Sequence, residues 1–311
     1  MSSAAFHHEA VFYEGDDQLV DRSLAFVHEG LARSEPVLVM VGSRKLELLR
    51  AALGSHAANV HLVDMEVVGR NPARIIPAWS RFVAENAGSG GGMRGIGEPI
   101  WAERTACELS ECQLHESLIN LAFAAADDFR LICPYDTAAL PDHVIAEARR
   151  SHPVVSYGGM EQVSHDYSGI DKVAAGFATP LPEPPAEAEE LRVTLPALRA
   201  ARRLVWRRAE EAGLGDRSED FMLAVNEVLS NSLQHAGEGG TLRLWHDPEG
   251  LVCEVRDSGH ISQPLIGREE PGIGQVGGHG MWLVNLVCDL VRVRSNEQGS
   301  TIRMRMNRVG R

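Results

Sequence analysis

The sequence predicts two domains of different class, a three-layer α/β domain followed by an α+β two-layer sandwich, and three observations predict it. Before residue 179, apolar runs alternate with longer amphipathic stretches, the pattern of a parallel sheet whose strands are joined by crossover helices. At 179–190, "TPLPEPPAEAEE" sets Pro180, Pro182, Pro184 and Pro185 where neither helix nor sheet tolerates them. After that seam, helices come grouped and strands follow one another across short turns, the order of a sandwich with helices on one face. A chain of 311 residues is long enough for two cores, at roughly 100–200 residues per domain.

In the first half the strand candidates are "VLVMVG" (37–42), "VHLVD" (60–64), "FRLICPYD" (129–136) and "VVSYGG" (154–159). Asn71 as N-cap and Pro72 at the first helical position open an amphipathic helix. The string "GGGMRG" matches a dinucleotide-loop spacing but precedes a strand instead of a helix, so it reads as a flexible loop. No phosphate-binding loop ending in Gly-Lys-Ser/Thr follows the first strand, where "VGSRKLELL" has a lone glycine. In the second half, helices are expected over 197–212 and 217–235, then strands at 241–247 and 251–259. A glycine-rich loop, the helix "MWLVNLVCDL" and the hairpin "VRVRSNEQGSTIRMRM" complete it. Alternation in "TIRMRM" turns Ile302, Met304 and Met306 inward and Arg303 and Arg305 outward.

Composition bounds the partners. A formal net charge of −13 disfavours direct nucleic-acid binding. No run approaches the ~18 apolar residues of a membrane helix, and no secretory leader opens the chain, so a cytoplasmic protein is expected. Cys107, Cys112, Cys133, Cys253 and Cys288 are scattered and odd in number, which reads as reduced core thiols.

The residues that carry chemistry gather in the second half. Glu227, Asn231 and His235 stand four apart and form a polar helical stripe, beside a buried one of Phe221, Val225, Val228 and Ser232. Asp257 closes a strand, and Gly259 permits the turn that follows. A carboxylate there can accept from an exocyclic amine. Gly274, Gly277, Gly278 and Gly280 directly precede an apolar helix, and bare backbone N–H groups beside a helix N-terminus attract phosphate. "QGSTI" brings Gly299 to Thr301 into a late strand.

These motifs in this order resemble the GHKL (Bergerat-fold) ATPase superfamily over about residues 191–307, and "NEVLSNSLQHA", "GGHGMWLVNLVCDLVRVRS" and "GSTIRMRM" are most similar to its anti-sigma factor serine/threonine kinase branch. The resemblance implies ATP and Mg2+ as cofactors. Asn231 would ligate the metal. Glu227 would be the general base for phosphoryl transfer. Asp257 and Gly259 would receive adenine, Gly278 and Gly280 the phosphates, and Thr301 would support the adenine end. His279 stands in the loop, facing a phosphate or solvent, and for His235 a structural or capping role is favoured over a catalytic one. The sequence departs from the family where "DSGHI" puts His260 and Ile261 in place of a second glycine.

The first half, a domain placed at 5–178, resembles the MEDS sensory domain over about residues 5–160 through "RGIGEPIW", "ECQLHESLIN", "LICPYD" and "SHP". That family is regarded as a degenerate RecA-like domain without a P-loop that senses small organic molecules. His8, Glu98, Trp101, Glu116, Asn120, Tyr135 and Asp136 are expected at or near strand ends and on the central helix, where they could line a pocket, since ligands collect beyond strand ends in open α/β sheets. The alternative for each is an internal hydrogen bond or cap.

The combined expectation is a bacterial regulator in which a sensory domain controls an ATP-dependent anti-sigma-type kinase. Its partners would be a sigma factor and a STAS-type anti-sigma antagonist, phosphorylated on Ser or Thr. A homodimer follows from the resemblance alone. The alternatives are a non-catalytic protein-binding scaffold and an atypical sensor histidine kinase. For the latter, His165 in "VSHDYSG" lies beside Gly and Ser rather than in a heptad. The outward arginines Arg292, Arg294, Arg303 and Arg305 read as a solvated strand face or a surface for an acidic partner.

Overall fold

The computed structural model describes residues 6–88, 91–236, 239–272 and 278–308. The chain divides into two compact units, Met1–Val173 and Ala174–Arg311.

The first unit runs β1 (His7–Tyr13), α1 (Gly15–Ala32), β2 (Val37–Val41), α2 (Ser43–Leu53), β3 (His61–Asp64), α3 (Met65–Val68), α4 (Ile75–Asn86), β4 (Met93–Gly97), α5 (Ala106–Ala122), β5 (Phe129–Asp136), α6 (Asp142–Ser151), β6 (Val154–Tyr157) and β7 (Met160–Val163), and α7 (Gly169–Ala178) spans the boundary between the units. The sheet order is β3-β2-β4-β5-β1-β6-β7, parallel except for β7, which pairs antiparallel with β6. β2 and β4 are buried throughout, which is why β2 reads as an apolar run without alternation. Val11, Val39, Ile96 and Ile132 pack with Val27 of α1 and Leu46 and Leu49 of α2. The other face carries aromatic rings, with Trp79 5.9 Å and Phe123 5.5 Å from Phe129. Gly95 of β4 lets that indole lie flush on the sheet, since a Cβ there would stand 2.7 Å from Trp79 Cζ3. Asn71 Oδ1 accepts from Ala73 N at 3.2 Å and caps the 3-10 turn leading into α4, where the cap was expected.

The second unit runs β8 (Glu189–Val193), α8 (Leu198–Glu211), α9 (Arg217–His235), β9 (Gly240–His246), β10 (Gly250–Asp257), α10 (His279–Val287), β11 (Leu290–Asn296) and β12 (Gly299–Asn307). Its sheet is antiparallel in the order β11-β12-β10-β9-β8. One face meets the helices, where Phe221, Val225 and Val228 of α9 pack with Leu244, Cys253, Val255 and Ile302.

The other face corrects the reading of the arginines. Register places Glu190, Arg243, Glu254, Arg303 and Arg292 side by side across the five strands. Glu254 is fully buried among Arg303, Arg256 Nε (2.7 Å) and Arg243 Nη1 (3.6 Å), and Arg292, Arg294 and Arg305 are buried as well. The expected linker also lies down on this unit: Leu181 is buried, Arg303 Nη2 donates to Pro182 O at 2.6 Å, and Arg256 pairs with Glu183. β8 begins inside that segment at Glu189. No helix among the described residues is long and apolar enough to cross a membrane. Cys112, Cys133, Cys253 and Cys288 are buried and form no disulfide, and Cys107 is exposed.

Candidate functional site

α9 turns its apolar residues onto the sheet and leaves Glu227 and Asn231 half-buried on its flank. Both face the start of α10. A Cβ built on Gly280 would lie 2.8 Å from Glu227 Oε2 and 3.4 Å from Asn231 Nδ2. His235, last residue of the same stripe, is exposed.

The carboxyl end of β10 lies beside the last turn of α9. Asp257 Oδ1 accepts from Gly259 N at 2.9 Å and from Ser300 Oγ at 2.9 Å, which fixes the carboxylate and closes the turn. A Cβ on Gly259 would stand 3.0 Å from that Oδ1, so a side chain there would crowd the acceptor. Ser300 occupies the position expected of Thr301. Asp257 pairs with Ser300 in register, and Ser300 alternates with Ile302 on the helix-facing side. Thr301 therefore sits on the opposite face of β12. Gly299 is required at this turn: its φ is +123°, and a Cβ would lie 2.0 Å from Asp257 O.

At α10, Gly278 is the N-cap in the left-handed region at φ 85°, a conformation that a side chain would strain. His279 opens the helix and is exposed. Gly274 and Gly277 lie outside the described residues. His260 and Ile261, which replace the second turn glycine, are held to β11: Ile261 N donates to Ser295 Oγ at 2.9 Å, and His260 Nδ1 lies 3.3 Å from the same oxygen.

These residues fit a magnesium nucleotide. The space that a Cβ on Gly280 would fill has the Glu227 carboxylate and the Asn231 amide on its wall, with the amide nitrogen nearest Gly280; the carboxylate and the amide oxygen of these side chains are the donor types that Mg2+ takes. At the other end, a fixed carboxylate faces a turn whose glycine keeps it uncovered.

The expected sensory residues of the first unit fall into two places. Glu98, Trp101 and Asp136 line a cleft of about 450 Å3 with Arg44, Lys45 and Glu66, beyond the carboxyl ends of β2, β4 and β5. Lys45 Nζ lies 2.5 Å from Glu98 Oε1, and the Tyr13 hydroxyl donates to the same oxygen at 3.0 Å. Burial raises the Glu98 carboxyl above its ordinary value, and Lys45 opposes this. Asp136 Oδ1 accepts from Ala138 N at 3.0 Å and caps a turn. The Arg104 guanidinium stacks 3.7 Å over the Trp101 ring.

His8, Glu116, Asn120 and Tyr135 are not in that cleft: Glu116 and Asn120 lie on the central helix α5 and Tyr135 near the end of β5, as expected, and only His8 departs from the expected strand end. His8 is the second residue of β1 and pairs with Leu131 near the start of β5, so it faces α5 well before the strands end. There it joins Glu116, Cys133 and His152, all four at most 1% exposed. His8 Nε2 is 3.2 Å from Glu116 Oε2 and 3.3 Å from Cys133 Sγ, and His152 Nε2 is 3.3 Å from Glu116 Oε2. Burial, then the neighbouring His152, pulls His8 down to about 4. Burial, then Glu116, pushes the Cys133 thiol well above its ordinary value. His152, Cys133, Lys45 and Ser300 went unassigned in the sequence. His165 is exposed in a turn, off any helix.

Comparison with known families places both halves. Residues 7–153 match the MEDS family (MEthanogen/methylotroph, DcmR Sensory domain), and residues 191–306 match the histidine kinase-like ATPase domain. No curated protein matches the chain. The chain therefore joins an N-terminal MEDS domain to a C-terminal histidine kinase-like ATPase domain, the arrangement of a signalling regulator. An ATPase domain of this kind implies ATP binding and, with it, magnesium.

Proposed function

We propose that this chain, a MEDS sensory domain joined to a histidine kinase-like ATPase domain, is an ATP- and Mg2+-dependent serine/threonine protein kinase of the anti-sigma factor type. It phosphorylates a STAS-type antagonist, binds a sigma factor when that antagonist is modified, and takes its input from the first unit. The observation that carries the reading is the pairing of Glu227 and Asn231 on one flank of α9 against Gly280 at the start of α10. Asn231 holds the metal through its amide oxygen. Glu227, one helical turn away, takes the proton of the attacking hydroxyl. Asp257, oriented by Gly259 N and Ser300 Oγ, accepts from the adenine amine. When bound, magnesium neutralises phosphate charge as it moves to the leaving group.

The test is thermal unfolding of the full chain with and without Mg-ATP, followed by phosphate transfer to candidate antagonist proteins. At ~100 times its dissociation constant the nucleotide stabilises the second unit by roughly 2.7 kcal/mol. Asn231→Ala abolishes the shift, whereas Glu227→Gln keeps it and loses transfer. Phosphate appearing as an acid-labile adduct on the chain itself overturns the serine/threonine assignment in favour of a histidine kinase. Absence of any shift at millimolar Mg-ATP overturns the catalytic reading in favour of a scaffold.

A further inference from the structure

The buried cluster of the first unit is short of protons. Asn120 Nδ2 donates to the carbonyls of Glu116 and Ser151 at 3.2 and 2.8 Å, which fixes its amide and leaves Oδ1 as the acceptor at 3.0 Å from His8 Nδ1. His8 Nδ1 is therefore a donor. His152 Nδ1 likewise donates to Ala148 O at 2.8 Å. With both Nδ1 hydrogens directed outward, an uncharged imidazole at either position turns its Nε2 lone pair inward, at a carboxylate oxygen that is itself an acceptor. The Cys133 S–H is the one hydrogen these four side chains bring to the middle. His152 Nε2 and Glu116 Oε1 accordingly have no hydrogen-bond partner, although both are buried.

We propose that His8 Nε2, His152 Nε2, Glu116 Oε2 and Cys133 Sγ bind one divalent transition-metal ion, with zinc(II) the best match. Four of the six donor–donor spacings match those of a tetrahedral shell. Metal–N and metal–O bonds of about 2.0–2.1 Å and a metal–S bond of about 2.3 Å put neighbouring ligand atoms roughly 3.3–3.6 Å apart. The observed separations are 3.2 and 3.3 Å for the two imidazoles from Glu116 Oε2, 3.3 Å for His8 Nε2 from Cys133, and 3.6 Å for Cys133 from Glu116 Oε2. All four donor atoms lie within 4.8 Å of one another. Two imidazoles, a carboxylate and a thiolate are borderline ligands that suit zinc over magnesium or calcium. Binding releases the thiol proton to solvent, and the two anions then cancel the charge of the ion, so the filled site is neutral where burial would penalise any net charge. Four protein ligands close the shell, which marks a structural or sensing metal instead of a hydrolytic one. The outward contacts of each Nδ1 are the supports that orient metal-binding histidines.

Cobalt(II) titration of the full, chelator-stripped chain decides the matter. The expected result is one equivalent bound, with the intense visible bands of four-coordinate cobalt and a thiolate-to-cobalt charge-transfer band in the near ultraviolet, both erased by zinc(II). Cys133→Ser loses the charge-transfer band. Asn120→Ala keeps the band positions but weakens binding about 10- to 100-fold, because it frees the His8 ring. Pale octahedral cobalt alone, unchanged in Cys133→Ser, overturns the proposal and assigns binding to other groups, such as the second cluster of His7, Glu9 and Glu161. No uptake at all overturns it equally. The wild-type titration stands without any variant, and circular dichroism checks that each variant is folded.

Discussion

Gly280 of α10 abuts Glu227 of α9 so closely that a Cβ at position 280 would meet Glu227 Oε2 at 2.8 Å. The helix has no backbone need for glycine there, since Gly280 is not in the left-handed region. Alanine is the better helix former by up to about 1 kcal/mol. Gly280→Ala is therefore expected to leave the melting temperature of the free protein unchanged or slightly higher. The new methyl displaces the carboxylate, and phosphate transfer falls at least about tenfold, the cost of losing roughly 1.4 kcal/mol of positioning. Unfolding curves beside a transfer assay separate the two effects; a fall in both would mean that the glycine serves packing.

What the sequence yielded follows from where the information sits. α9 was legible because a 3.6-residue period sorts Phe221, Val225 and Val228 from Glu227 and Asn231 within one segment. β5 was legible because its apolar run is bounded by turn residues. β7 was not, since all four of its residues are exposed and carry no alternation. β8 was hidden by the prolines just before it. The alternation that turns Ile302 inward also turns Ser300 inward, so the pairing with Asp257 was available, and assignment by motif chose Thr301 instead. His8, Glu116 and Cys133 come from β1, α5 and β5 and His152 from the C-cap of α6, and only their tertiary convergence makes a site.

Ser300 and Thr301 are neighbours with opposite expected phenotypes. Ser300→Ala removes one of the two hydrogen bonds that hold Asp257 Oδ1. A bond to a charged acceptor contributes about 1.5–3 kcal/mol, part of which the Gly259 amide retains. Affinity for adenine nucleotide is expected to drop about tenfold in Ser300→Ala and to change less than about twofold in Thr301→Ala. Calorimetric titration with Mg-ADP reads both, and equal losses would mean that the Asp257 contact has no part in binding.

Glu254 has three guanidinium groups around it and is fully buried. Glu254→Gln keeps the volume but leaves buried cations facing a neutral amide, at an expected cost of roughly 3 kcal/mol to the second unit. Because the group is shielded, added salt should change that deficit little. A loss below about 0.5 kcal/mol by denaturant unfolding would instead place these arginines in the class of solvated surface pairs.

Lys45 and Glu98 give the first unit a pH signature whose sign can be worked out. Burial holds the folded Glu98 carboxyl above its unfolded value, against the pull of Lys45 and the Tyr13 hydroxyl, with Asp136 adding to the rise. A carboxyl with a raised folded pKa binds its proton more tightly in the native state, so its contribution to stability grows as pH falls through the folded value and is lost as pH rises through it. Lys45→Met removes the cation 2.5 Å away, raises Glu98 further and leaves a buried anion unpaired at neutral pH. The variant should therefore melt well below wild type at about pH 7.5, with the gap narrowing towards about pH 5 as Glu98 takes up its proton. Taking the difference between the two proteins cancels groups that titrate alike in both. A gap that stays constant across this window, or widens on acidification, would mean that Lys45 acts through packing of its alkyl chain and not through the charge of Glu98.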